Sequence, residues 1–145
     1  FNFLFLNMNS CRVFISSFLI VLSFQANAQM AKSVDEMEAV YKECLRSKPD
    51  SNACFKKFLQ EMDSMQGLIT EKVKLQIPAD EKAAFLQDEY SWAKKKGEYF
   101  KKLDATFVYN LQEGIWKKDM IRISYQQKAE YILKRIKVLL KRLKE

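Results

Sequence analysis

Residues 44–54 read CLRSKPDSNAC, in which Cys44 and Cys54 lie at equal distances from Pro49. On both sides of this segment apolar residues recur at spacings of three and four, which is the period of an amphipathic α-helix. Proline lacks an amide hydrogen, so Pro49 ends the first helix near Lys48. In an antiparallel helical hairpin that turns at Pro49, the two cysteine side chains face each other.

The first 28 residues have the pattern of a secretory leader. Residues 13–24 read VFISSFLIVLSF and are preceded by Arg12 and followed by QANA. This apolar run is shorter than the roughly 20 residues of a membrane span, and alanines occupy the small-residue positions before a cleavage point. We expect a signal peptide over residues 1–28, with cleavage near Ala28 and Met8 as the candidate natural start. An uncleaved anchor is the alternative.

The predicted export determines whether the cysteines are expected to be free or paired in a disulfide. Cys11 leaves with the leader, and Cys44 and Cys54 reach an oxidising periplasmic or secreted location, where cysteines pair. The sequence therefore predicts a Cys44–Cys54 disulfide, with two free buried thiols as the alternative.

The remaining residues, 29–145, have the length and pattern of a single helical domain. Ser33 and Glu36 have the spacing of a capping box, which predicts a helix start. The four predicted helices run from Ser33 to about Lys48, from Asp50 or Ser51 to Pro78, from Asp80 to about Gly114, and from about Asp119 to Leu143. The third is either continuous or kinked near Gly97 or Asp104. The expected fold is all-α, a small helical bundle in two antiparallel pairs, with the first two helices joined as a disulfide-linked hairpin.

The composition excludes most catalytic chemistry. The chain has no histidine, so it lacks the commonest general base and metal ligand, and its three scattered glycines form no phosphate-binding loop. The carboxylate pairs Asp80-Glu81 and Asp88-Glu89 are adjacent on helices and point in different directions, unlike the facing carboxylates of a glycosidase. We expect a non-enzymatic protein without a cofactor or metal. A small enzyme that uses these carboxylates is the alternative.

Positive charge is concentrated in the second half of the chain. Residues 29–93 carry 9 basic and 12 acidic side chains, whereas residues 94–145 carry 15 basic and 6 acidic ones. Such a surface attracts anionic lipid, cell-wall polymer or nucleic acid, although an exported location argues against nucleic acid. The alternative is that these residues only solubilise two helices. The candidate binding face consists of Lys94, Lys95, Lys96, Lys101, Lys102, Lys134, Arg135, Lys141 and Arg142.

The last predicted helix is amphipathic and strongly basic. Its apolar stripe serves equally for packing within the monomer or for a homodimer. Trp92 lies on the apolar stripe of the third helix with Phe85 and Phe100, which predicts a core role.

A family resemblance extends over about residues 44–130. The segment 85–96, FLQDEYSWAKKK, is centred on Trp92 and follows Cys44, Cys54 and Asp63. With this order and spacing, the chain resembles the small secreted helical domains of the lysozyme-inhibitor LprI-like family. The resemblance implies a non-enzymatic envelope protein that binds another envelope component, with lysozyme inhibition known for some members. It also marks Asp63 and Trp92 as signature positions.

Two departures from the family accompany this resemblance. Where the family has an Arg-Asp pair and then a cysteine, this chain has Lys96-Gly97 and then Tyr99, and its last segment has no cysteine either. Both halves of a second disulfide are therefore absent together. Because common animal lysozymes are basic and the chain without its leader carries a net charge of +6, an inhibitory face would have to be locally acidic.

Overall fold

The computed structural model describes residues 8–48 and 51–143, with side chains described from residue 28 onward. Within these residues the chain is helical and contains no strand, as the sequence predicts. The predicted leader lies almost wholly outside the residues whose side chains are described. None of the helices in the described residues is both long and apolar enough to cross a membrane. The helices are α1 (Met8–Ser47), α2 (Asn52–Gln76), α3 (Lys82–Gln112), the short 3₁₀ helix η1 (Lys118–Met120) and α4 (Ile121–Arg142).

α1 and α2 form the predicted hairpin. A Cys44–Cys54 disulfide joins them, with the two Cα atoms 5.9 Å apart, so this prediction is confirmed. One turn further from the bend, the ring of Tyr41 stacks on that of Phe58 at 4.1 Å. The disulfide and the aromatic stack together fix the antiparallel register of this hairpin.

The predicted helix start at Ser33 is wrong. Ser33 lies inside α1, and its hydroxyl donates a hydrogen bond to the carbonyl of Gln29, 2.9 Å away. Since helix precedes Ser33, its neighbouring amides already have partners and need no cap. The hydroxyl instead bonds to the carbonyl one turn earlier, as serines inside helices do.

α2 and α4 form the centre of the molecule, with α1 and α3 on either side. Lys96 of α3 pairs with Asp63 of α2, whereas Glu89, earlier in α3, accepts a hydrogen bond from Thr70, later in α2. α2 and α3 are therefore antiparallel. Since α4 is also antiparallel to α3, α2 and α4 run in the same direction.

The core is an α2–α4 interface that receives few side chains from the flanking helices. The apolar stripes predicted for α2 and α4 are buried there, so the α4 stripe packs within the monomer. A homodimer that used the α4 stripe would require this stripe to leave the core. α3 contributes only Phe85 to the fully buried set. The buried cluster contains Val34, Phe58, Met62, Met65, Ile69, Val73, Phe85, Ala129, Ile132, Ile136, Leu139 and Leu143.

α3 is one unbroken helix through Gly97 and Asp104. Its N-cap residue is Glu81, one position after the predicted start at Asp80, and Glu81 makes no capping hydrogen bond through its side chain. At the other end, the amide of Ile115 donates to the carbonyl of Asn110 and that of Gly114 to the carbonyl of Leu111. These two bonds define a Schellman motif, in which the residue after the C-cap is left-handed. Gly114 fills that position with φ 70° and ends α3 as predicted.

Candidate binding surface around α3

An arginine from α4 anchors α3 to the bundle. The side chain of Arg135 is 9% exposed, and its Nη2 donates a hydrogen bond to Asp88 at 2.6 Å. The guanidinium also bonds Glu89, through Nε at 3.1 Å and through Nη2. Burial lowers the pKa of Arg135, but the hydrogen bonds and charges of the two carboxylates outweigh this and leave the pKa above its ordinary value. Arg135 is therefore a permanent internal cation.

The same carboxylate connects α3 to α2. Glu89 Oε2 accepts a hydrogen bond from the hydroxyl of Thr70 at 3.2 Å, and the amide nitrogen of Gln66 donates to that hydroxyl at 2.8 Å. Both oxygens of Glu89 are thus engaged with protein groups. In this arrangement the Asp88-Glu89 pair joins three helices.

Aromatic rings fill the seam between α3 and α4. The ring of Tyr131 lies between Tyr99, with centroids 4.8 Å apart, and Trp92, with centroids 6.1 Å apart, and both pairs are stacked. Trp92 is half-buried and lies at the edge of the molecule, outside the buried core that its sequence position predicted. Because these rings cover one another, their packing stabilises the seam.

Lys96 brings the two signature positions together. Its ammonium pairs with Asp63 of α2 at 2.8 Å and lies 5.1 Å from the ring centroid of Trp92. A cation held by a carboxylate and above an indole face is attracted by both. Asp63 and Trp92 are therefore linked through a residue that the charge pattern assigned to the binding face.

The structure divides the predicted cationic face into residues that form ion pairs between helices and residues that are exposed. Lys96 and Arg135 are engaged in ion pairs between helices. Arg142 is exposed, with its guanidinium 5.5 Å from the ring centroid of Phe85. Six lysines of the predicted face are exposed and form no ion pair with any described residue: Lys94, Lys95, Lys101, Lys102, Lys134 and Lys141.

A groove between α2 and α3 was missed by the sequence analysis. It has a volume of about 590 Å³, and its walls include Leu68 of α2 and Tyr90 of α3, which are 60% and 70% exposed. Trp92 and Lys96 line it as well. The available sequence signal was that Leu68 and Tyr90 are large apolar residues outside the helical stripes of α2 and α3.

The charged residues that line this groove are Glu71, Glu89 and Lys96. Each of them has a partner of opposite charge: Glu71 pairs with Lys74 at 3.5 Å, Glu89 with Arg135, and Lys96 with Asp63 at 2.8 Å. The groove therefore carries no unpaired charge, although the second half of the chain is strongly basic.

Among the described residues, no three carboxylate, thiol or imidazole side chains group closely enough to hold a metal ion. The sequence matches no protein-family model and no curated protein, and the structure matches no solved structure. The geometry and chemistry of the surface are therefore the basis for assigning a function.

Proposed function

We propose that this chain is a periplasmic or secreted, non-enzymatic protein that binds another envelope protein through the groove between α2 and α3. The resemblance to the LprI-like family makes a lysozyme-type enzyme the expected partner. The observation that carries the proposal is the pair of large apolar side chains, Leu68 and Tyr90, exposed on the walls of a groove between two helices.

Exposed apolar groups of this size favour a protein contact. Tyrosine is enriched at protein interfaces because its ring buries a large area while its hydroxyl keeps a polar partner. Leu68 on the facing wall offers a second apolar contact, and a partner side chain between them would be removed from water on two sides. An apolar anchor in the centre of a polar surface is the usual arrangement of an interface.

The groove presents no unpaired positive charge to a basic partner. Common lysozymes are cationic, and the overall positive charge of this chain repels them at long range. In the groove Lys96 is paired with Asp63, Glu71 with Lys74 and Glu89 with Arg135. The groove thus lacks the unpaired lysines exposed elsewhere on α3 and α4, and we expect a cationic partner to approach the groove and not those lysines.

The groove walls are held rigidly from behind. Arg135 fixes Glu89, and Lys96 lies between Asp63 and Trp92. A preformed surface loses less conformational entropy on binding than a mobile one. The ion pairs of the seam therefore support binding by positioning α3 against α2.

The purified chain is tested by titration into a lysozyme turbidity assay with lysozymes of several classes. We expect slower clearing with at least one class, and weaker inhibition by the double variant Leu68→Ala, Tyr90→Ala. Leu75→Ala, which removes another exposed leucine of α2 outside the groove, is the matched control and should inhibit normally. No slowing at micromolar excess with any class would refute the proposal.

A second candidate function is binding of an anionic lipid or cell-wall polymer through the lysine-rich surface. The observation that favours it is the set of exposed lysines on α3, Lys94, Lys95, Lys101 and Lys102, none of which pairs with a described carboxylate. Unpaired lysines along a helix produce a positive field that attracts polyanions.

Salt dependence separates the two candidates. Attraction between exposed charges is screened over about 8 Å at physiological salt, so binding to a polyanion such as dextran sulfate should weaken steeply as salt is raised. Lys94→Gln with Lys95→Gln should reduce this binding, while Lys42→Gln with Lys56→Gln, exposed lysines on other helices, should reduce it less. If the two double variants lost the same amount of polyanion binding, the lysines of α3 would have no specific role in it.

A further inference from the structure

We propose that the end of the bundle where α3 turns toward η1 docks on anionic lipid bilayers. This end, called the tip below, comprises residues 108–118. The inference rests on the second candidate function for its attraction to anionic groups. It goes further by naming lipid as the anionic component and by adding an apolar contact with the bilayer.

Large apolar side chains are exposed at the tip. Val108, Tyr109 and Ile115 are 48%, 60% and 62% exposed. In a Schellman motif the residue after the left-handed glycine commonly packs against the last turn of its helix and is shielded there. Ile115 occupies that position but remains mostly in water. Large exposed apolar side chains close together in the sequence, at one end of a small protein, indicate a contact surface.

Exposed lysines flank these apolar residues in the sequence. Lys101 and Lys102 precede them on α3, Lys117 and Lys118 follow them, and all four are exposed. Two carboxylates in this region are already neutralised: Asp104 pairs with Lys128 at 2.5 Å, and Asp119 pairs with Arg122 at 3.2 Å. Glu113 is then the one carboxylate of residues 101–122 without such a pair, against four lysines.

This combination fits a lipid surface better than a soluble polyanion. A polyanion needs only the lysines, and the exposed apolar side chains would stay in water. At a bilayer, valine, tyrosine and isoleucine enter the boundary between head groups and acyl chains while lysines contact anionic head groups. Trp116, half-buried at the tip with its ring 6.2 Å from that of Phe107, is also suited to the interface.

Co-sedimentation with vesicles tests the proposal in the full chain. Vesicles of phosphatidylcholine alone are compared with equimolar phosphatidylglycerol and phosphatidylcholine. We expect binding to the anionic vesicles to weaken about tenfold in the double variant Tyr109→Ser, Ile115→Ser, since two partly inserted side chains are lost. Leu75→Ser, at an exposed leucine of α2, is the control and should bind as the wild type does. The predicted leader is common to all these chains, so differences between them report on the tip.

Tryptophan quenching provides a second readout, which reports on how close the tryptophans lie to the lipid. The chain has two tryptophans, Trp92 in the seam and Trp116 at the tip. Lipids that carry a quencher near the head group should quench Trp116, and this part of the quenching should disappear in Trp116→Phe. Unchanged quenching in Trp116→Phe, or equal vesicle binding by the tip variant and the wild type, would overturn the proposal. If the tip variant still binds dextran sulfate normally, the second candidate function is unaffected by either result.

Discussion

The guanidinium of Arg135 lies over the indole of Trp92, 5.7 Å from the ring centroid. The two residues come from different helices, and the same arginine is hydrogen-bonded to Asp88 and Glu89 of α3. The ammonium of Lys96 is 5.1 Å from the same ring centroid. Cations and aromatic rings therefore form the contact between α3 and α4, in place of the aliphatic packing that joins α2 to α4.

Removal of the Arg135 charge should destabilise the fold. Arg135→Met leaves Asp88 and Glu89 without their partner, and Glu89 is largely buried. Breaking one side of a buried ion pair costs about 3 kcal/mol or more of unfolding free energy, and we expect about 3 kcal/mol because Asp88 is partly exposed. Urea denaturation measures the change. Lys134→Met, at the exposed neighbouring position, should stay within about 0.5 kcal/mol of the wild type.

Truncation of Trp92 should cost less than the loss of a core tryptophan. Full removal of a large core side chain costs about 3–5 kcal/mol. Because Trp92 is half-buried, we expect Trp92→Ala to lower the unfolding free energy by roughly 2 kcal/mol. Trp92→Phe keeps a ring against Tyr131 and should lose about half as much. A loss above about 4 kcal/mol in urea denaturation would contradict the half-buried position.

Reduction of the disulfide should weaken the hairpin without dismantling the bundle. Cys44 and Cys54 close a short loop, and the chain-entropy estimate for such a crosslink is about 2–3 kcal/mol. We therefore expect a reductant to lower the urea midpoint of the wild type. The double variant Cys44→Ser, Cys54→Ser should show the lower midpoint with or without reductant. An identical urea midpoint of the wild type with and without reductant would contradict this expectation.

Tyr41 should make stability fall at high pH. Burial, and next the charge of Glu130, raise the pKa of Tyr41 above its ordinary value of 10.0. The folded state therefore holds this proton more tightly than the unfolded state. The contribution of this proton to the free energy of unfolding is complete below pH 10. It is lost as the pH rises from there through the raised pKa of Tyr41.

Tyr41→Phe keeps the stacked ring and removes the titrating hydroxyl. Urea denaturation of both proteins at about pH 8 and about pH 11 measures how much unfolding free energy each loses between the two pH values. The loss should be larger for the wild type. Equal losses would mean that Tyr41 ionises no less readily in the fold than in the unfolded chain.

Helix positions could be predicted where a stripe is unambiguous and a proline or glycine ends it. The α2 stripe from Cys54 to Val73 is buried almost throughout, and Pro78 and Gly114 terminate their helices as predicted. Helix starts were predicted less well, because Ser33 and Asp80 have the chemistry of caps but occupy other positions. A capping motif does not report whether the preceding residues are already helical.

The ion pairs of the seam could not be predicted from charge alone. Arg135 was assigned to the cationic face and Lys128 was given no role, yet both lie on the buried side of α4. One signal was present: they share the helical stripe of Ile132 and Leu139. Their carboxylate partners come from another helix, and a single sequence does not reveal which helices pack together. The groove was missed for the same reason, since its two walls are residues about 20 positions apart.

Site-specific photo-crosslinking tests most directly whether the groove between α2 and α3 is the binding surface. A benzoylphenylalanine is placed at position 90 in one full-length chain and at position 109 in another, both being exposed tyrosine positions on α3. With a lysozyme present, we expect a crosslinked adduct from position 90 and none from position 109. Equal adducts from both positions, or none from position 90 with any lysozyme class, would contradict it.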